Sequence, residues 1–214
     1  MIKSSSNKGF GKIAGIAVIS FFTYGGSANA IQITPTSVTA SSQFSNLAKV
    51  NNLINNSGLS GGNHNIVPLN NMWVSINNDI NPTVTFNLGA VYNLTGSDIW
   101  NFNASGSLNR GVKDFNILTS LDGNTFSSAG SGTLSIGTGN PLPSQLVAFT
   151  ATAQYVRFNV ISNYGNTTNT GLSEVKFQGT LAPTSVPEPL TILGSLTALG
   201  FGSVFKKKFK SSKS

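Results

Sequence analysis

The chain has no cysteine and one histidine among its 214 residues, and only 9% of them are charged. Without cysteine there are no disulfides, thiol nucleophiles or thiolate metal sites, so the fold rests on its core alone, as a domain of about 150 residues can. A single imidazole is too little for a histidine zinc site. It is His64, in a Gly/Asn loop without a nucleophile motif, which leaves a serine hydrolase without a recognisable base. Acids are scarce too, 6 in all, and those of the central region are scattered among turns and strand ends rather than paired as glycoside hydrolysis requires. These absences point away from an enzyme.

The formal net charge of +7 at first suggests a polyanion partner. Between residues 31 and 180 it vanishes, with Lys49, Arg110, Lys113, Arg157 and Lys176 balanced by Asp79, Asp98, Asp114, Asp122 and Glu174. A neutral domain rich in Asn, Ser, Thr and Gly is a poor ligand for nucleic acid, which is set aside as a partner. The positive excess belongs to the two ends of the chain.

At the amino end, Lys3, Lys8 and Lys12 precede the apolar residues 13–22, and Ser27-Ala28-Asn29-Ala30 supplies small residues before a cut after Ala30. Residues 1–30 therefore read as a signal peptide for signal peptidase. At the other end, Val186-Pro187-Glu188-Pro189 leads into the apolar residues 190–205 and then Lys206, Lys207, Lys208 and Lys210. As a helix, that run would extend about 24 Å, slightly short of the ~30 Å bilayer core, with the lysines on the cytoplasmic side. A short Pro/Thr/Ser linker, residues 182–186, separates it from the central domain. The tail, residues 187–210, resembles the carboxy-terminal sorting signal of exosortase-handled bacterial proteins, the PEP-CTERM type. The resemblance implies a membrane helix, processing by exosortase at or near Pro187, Glu188 and Pro189, and delivery to the cell surface or extracellular matrix. An ordinary single-span anchor is the alternative, and either places the domain outside the cytoplasm.

Within residues 31–181 the apolar period is two. Val84, Phe86 and Leu88 alternate with polar residues, as do Val156, Phe158 and Val160, and Val175 with Phe177. Further strands are expected over 31–34, 97–103, 112–119 and 145–150, each bounded by Gly, Asn or Pro, with Asp122-Gly123 as a turn and a short helix only within 46–56. Short strands at this spacing give an all-β chain, an antiparallel β-sandwich and most simply a jelly roll.

The order of these signals carries a family likeness: residues 48–58 (AKVNNLINNSG), Met72-Trp73-Val74-Ser75, 83–94 (TVTFNLGAVYNL), 110–123 (RGVKDFNILTSLDG), 154–161 (QYVRFNVI) and 172–179 (LSEVKFQG). Together they resemble the discoidin-like, or coagulation-factor type C, domain with its galactose-binding-like jelly roll. The resemblance implies a structural calcium ion held by the loop 51–60, including Asn55 and Ser60, together with Glu174. Asn55 stands where the family usually has an aspartate, which lowers the charge of the site. The resemblance also implies ligand contact at loops 61–71, 103–110 and 163–171, hence His64, Asn109, Arg110, Tyr164 and Asn166, with His64 and Arg110 acting together. The function it points to is non-enzymatic binding of extracellular polysaccharide. The alternatives are a structural surface or matrix protein without a specific ligand, and an envelope glycan hydrolase.

Overall fold

The computed structural model describes residues 29–183. The signal segment before Asn29 and the sorting motif Pro187-Glu188-Pro189 with its apolar run lie outside the described residues. Strand β1 is Ile31–Ile33, β2 Ser37–Ala40, β3 Leu59–Ser60, β4 Asn63–His64, β5 Trp73–Val74, β6 Thr83–Asn101, β7 Val112–Ser120, β8 Ser127–Thr133, β9 Leu142–Pro143, β10 Gln145–Asn163 and β11 Gly171–Leu181. Two 3-10 turns, Val50–Leu53 and Leu108–Arg110, are the helical elements among the described residues, and none of these is long and apolar enough to cross a membrane.

Hydrogen bonding runs in the order β1-β11-β6-β10-β7-β8, with β2 added on β6 and β5 on β11, and every strand pair is antiparallel. Strands β6 and β10, 19 residues each, pass from one layer of a sandwich to the other. Residues 84–87 of β6 pair with β2 and residues 83–87 with 155–159 of β10, whereas 92–101 pair with β11. The bends coincide with register shifts between Ala148 and Ala151 and between Ala153 and Tyr155, and with Gly89 at φ 83°, a backbone conformation that glycine adopts without cost. The sequence expects 83–88 and 97–103, and likewise 145–150 and 155–160, as separate strands. The structure joins each pair into one.

The inward faces form one core. Phe86, Phe115 and Phe158 come from one layer and Phe177 from the other, with ring centroids 4.8 Å apart for Phe115–Phe158, 5.3 Å for Phe86–Phe158 and 5.4 Å for Phe86–Phe177. Burying each ring contributes about 1.5–3 kcal/mol, and edge-to-face packing adds about 0.5–1.5 kcal/mol per pair. Trp73 is fully buried, and its Nε1 donates to Ser42 O at 3.0 Å, so the residue is core. This all-β antiparallel sandwich leaves two surfaces free for chemistry: the loop end at 103–110 and 163–171, and the outer face of β1, β11 and β6.

Candidate functional site

At the loop end, the 3-10 turn Leu108–Arg110 packs against the segment that follows β10. The carbonyl of Asn109 accepts from Tyr164 N at 3.1 Å and from Asn166 N at 3.3 Å, and Asn166 Nδ2 donates to Asn109 Oδ1 at 3.3 Å. Asn109, Tyr164 and Asn166, expected together from the sequence, are thus brought together. Asn163, which sequence reasoning does not single out, shapes the loop. Its amide donates to Asn166 O at 2.9 Å, Thr170 Oγ1 at 3.0 Å and Asn169 O at 3.2 Å. The Tyr164 hydroxyl donates to Leu134 O. Arg110 is half-buried, and its Nε has no partner. Beside Asn166, a cleft of about 360 Å³ is walled by Ile80 and Ile161 and rimmed by Asn81 and Thr167.

His64 is not part of this cluster. It sits in the small sheet β3-β4-β9, fully buried, with Nδ1 3.0 Å from Asn65 O and Nε2 3.2 Å from Asn71 O. Burial pushes its pKa below the ordinary imidazole value, against the opposing effect of the carbonyls. The expectation that His64 and Arg110 jointly face a ligand is therefore corrected: the imidazole is enclosed and engaged by backbone. Gly58 makes the enclosure possible, because a Cβ there would lie 2.7 Å from His64 Cε1.

Glu174 lies on the face of β11 opposite Val175 and Phe177, covered by the loop before β3. It is fully buried, and Oε1 accepts from Asn56 N at 3.3 Å while Oε2 has no hydrogen-bond partner. Desolvation, only partly offset by that amide and by the charge of Lys176, raises its pKa to about 7. A buried carboxylate oxygen without a partner, beneath a loop rich in carbonyls, suits a hard cation. Asn55 does not turn toward it: Asn55 is exposed, and its Oδ1 accepts from Ser57 N at 2.9 Å and Ser57 Oγ at 2.6 Å, closing a local turn. Of Asn55, only the backbone carbonyl is therefore left to serve a cation at Glu174. Ser60 is exposed at the end of β3 and lines a cleft above Lys176. No three His, Cys, Asp or Glu side chains among the described residues come together as a metal cluster, so a cation here would rely on Glu174 and backbone oxygens.

The remaining acids among the described residues are committed to structure. Asp79 accepts from Ser42 Oγ at 2.6 Å, and Asp98 from the amides of Gln32 and Gln178, each at 3.0 Å. Asp114 accepts from Ser162 Oγ at 2.7 Å and Thr133 Oγ1 at 2.8 Å, which lower its pKa. Asp122 Oδ1 accepts from Thr125 N and Asn124 N, each at 2.9 Å, which with Ser120 lower its pKa to about 2.

The family model described as F5/8 type C domain matches residues 37–175. Comparison with curated proteins gives no match. Among solved structures, the chain is similar to CBM32-3 of a family 31 glycoside hydrolase from Clostridium perfringens, with 23% identity, 74% of this chain and 100% of that chain covered, and a TM-score of 0.53. It is also similar to the family 32 carbohydrate-binding module of C. perfringens NanJ solved with galactose, with 16% identity, 69% and 99% covered, and a TM-score of 0.50. A third similar structure is chitosan-binding module 1 of a chitosanase/glucanase from Paenibacillus sp. IK-5, at 16% identity, 69% and 96% covered, and a TM-score of 0.50. At these identities the likeness is one of fold.

Proposed function

Because the chain belongs to the F5/8 type C domain family, we propose that it is a non-enzymatic carbohydrate-binding module acting on extracellular polysaccharide. The observation that carries this reading is the loop end, where the Asn109 amide meets that of Asn166 and Asn166 lines a cleft walled by Ile80 and Ile161. Sugars present hydroxyl donors and acceptors together with apolar C–H faces. The exposed Asn109 amide and the second Nδ2 hydrogen of Asn166, whose Oδ1 is held by Thr168 N and Asn169 N, serve the first, and isoleucine side chains the second. Two of the similar structures are named for galactose and chitosan, and that ligand class, a saccharide, is the one carried to this chain. The commitment of Asp79, Asp98, Asp114 and Asp122 to local hydrogen bonds supports binding over hydrolysis.

In the same reading the two ends of the chain set its address. Signal peptidase removes residues 1–30, exosortase processes the chain at or near Pro187-Glu188-Pro189, and the domain resides at the cell surface or in the matrix. The apolar residues after Pro189 tether it until then. Calcium is the cation assigned to Glu174, with carbonyls of the loop 51–60 completing its shell. Bound there it would supply positive charge to a buried carboxylate and fasten the loop to β11.

The test is binding of the protein and of an Asn109→Ala/Asn166→Ala variant to a glycan panel. Saturable binding, competed by free sugar and weakened in the variant, is expected, with the variant shown to be folded because Asn166 also holds Thr168 N and Asn169 N. Silence across the panel from folded protein would overturn the reading in favour of a structural surface protein without a ligand.

A further inference from the structure

The outer face of β1, β11 and β6 carries a second constellation. Alternation places Gln32, Gln178, Lys176, Glu174, Asp98 and Trp100 on this face, with Gln32 opposite Gln178, Lys176 opposite Asp98 and Glu174 opposite Trp100. The β3–β4 hairpin closes one side. Its turn, Gly61-Gly62, has φ 57° and 82°, and the tip is fastened because Trp100 Nε1 donates to Gly62 O at 3.0 Å. The result is a cleft of about 320 Å³ lined by Gln32, Asn56, Ser60, Gly61, Trp100 and Lys176.

Its chemistry is specific. Asp98 holds Gln32 and Gln178 by their amide nitrogens, through contacts at 3.0 Å to each, which fixes both side chains. The Lys176 ammonium stands 5.8 Å from the Trp100 ring centroid and supplies donors, while Ser60 supplies a hydroxyl. Fixed donors and acceptors on a rigid sheet suit a ligand with several hydroxyls. Asp98, opposite Lys176 in the strand register, offsets the single ammonium, so the side chains of the cleft offer an acidic sugar no net positive field. Trp100 is 4% exposed and its N–H is engaged, so it offers an edge rather than a stacking platform.

We propose that this cleft is a second binding site, for a neutral sugar unit of the same polysaccharide that the loop end binds. The proposal rests on the carbohydrate reading of the loop end and deepens it. Two weak sites on one rigid domain engage a long chain together, so the cleft contributes avidity toward polymer more than affinity for a monosaccharide.

The experiment follows the two tryptophan indole N–H signals of the protein by NMR during titration with neutral chito- and galacto-oligosaccharides and with glucuronate oligomers. The neutral oligosaccharides are expected to shift one indole signal saturably, in the wild type and in Asn109→Ala/Asn166→Ala alike, and the glucuronate oligomers to leave it in place. Gln32→Ala/Lys176→Met, which keeps the aliphatic stem beside Trp100, should abolish the shift and lower polysaccharide affinity on the order of tenfold. The single change Gln32→Ala, at an exposed position of β1, covers the case in which the double variant does not fold. A shift that survives in both cleft variants overturns the proposal. Unmoved indoles in a protein that still binds polysaccharide through the loop end overturn it too, and leave the carbohydrate reading standing.

Discussion

Replacing Glu174 with glutamine removes one buried charge while keeping the shape of the side chain. In the folded protein the carboxyl has a pKa of about 7, against an ordinary value of 4.5. Below pH 4.5 both folded and unfolded chains are protonated at this position, and the wild type and Glu174→Gln should differ little. As the pH rises, the unfolded chain releases its proton first, so the wild type loses stability until the folded group titrates near pH 7. With about 1.4 kcal/mol for each pH unit between the two values, the loss approaches about 3 kcal/mol, or roughly 6–12 °C in Tm. In chelator at pH 8, Glu174→Gln should therefore melt above the wild type, and the two should converge at pH 4. Comparing the two chains cancels His64, which titrates in both and whose lowered pKa makes each less stable as pH falls through the ordinary imidazole range. Calcium should reverse the order at pH 8 by stabilising the wild type alone. The assay is a melting series from pH 4 to 9 with calcium or chelator. A wild type that melts above Glu174→Gln at pH 8 in chelator would refute the buried-charge argument, and an order indifferent to calcium would refute the cation assignment.

Phe158→Ala should cost about 3–5 kcal/mol in denaturant unfolding, because the ring touches Phe86, Phe115 and Phe177 at the centre of the core. Asn101→Leu should cost about 1–3 kcal/mol for each carbonyl it abandons, since its amide serves Val112 O at 2.8 Å and Ser135 O at 2.7 Å; thermal melting reads this. His64→Ala should lower the melting temperature and leave saccharide affinity unchanged in calorimetric titration, as its ring is enclosed by backbone.

The alternation of Val84, Phe86 and Leu88, and of Val156, Phe158 and Val160, is legible because each strand half has one buried face. It lapses where β6 and β10 cross between layers, since residues 89–93 face neither core nor solvent consistently, and the lapse reads as a break. Strand β8, Ser-Ser-Ala-Gly-Ser-Gly-Thr, lies at a sheet edge and is held by backbone pairing with β7, so its composition gives no apolar signal. In the candidate site, the loop positions of Asn109, Tyr164 and Asn166 follow from family order. The direction of a side chain within a loop does not: Asn55 caps its own turn, and His64 is buried because Gly58 has no side chain to exclude it. Trp100 and Lys176 share a face by simple alternation with Ile99 and Val175, but their cleft arises only when the Gly61-Gly62 turn folds over them.

The most direct test of the central claim is binding of the purified protein to a broad glycan panel that includes the producing cell's own exopolysaccharide, in calcium and in chelator. Saturable binding competed by a free neutral sugar, and weakened in a folded Asn109→Ala/Asn166→Ala variant, is the predicted result. No binding to any glycan by folded protein would contradict it.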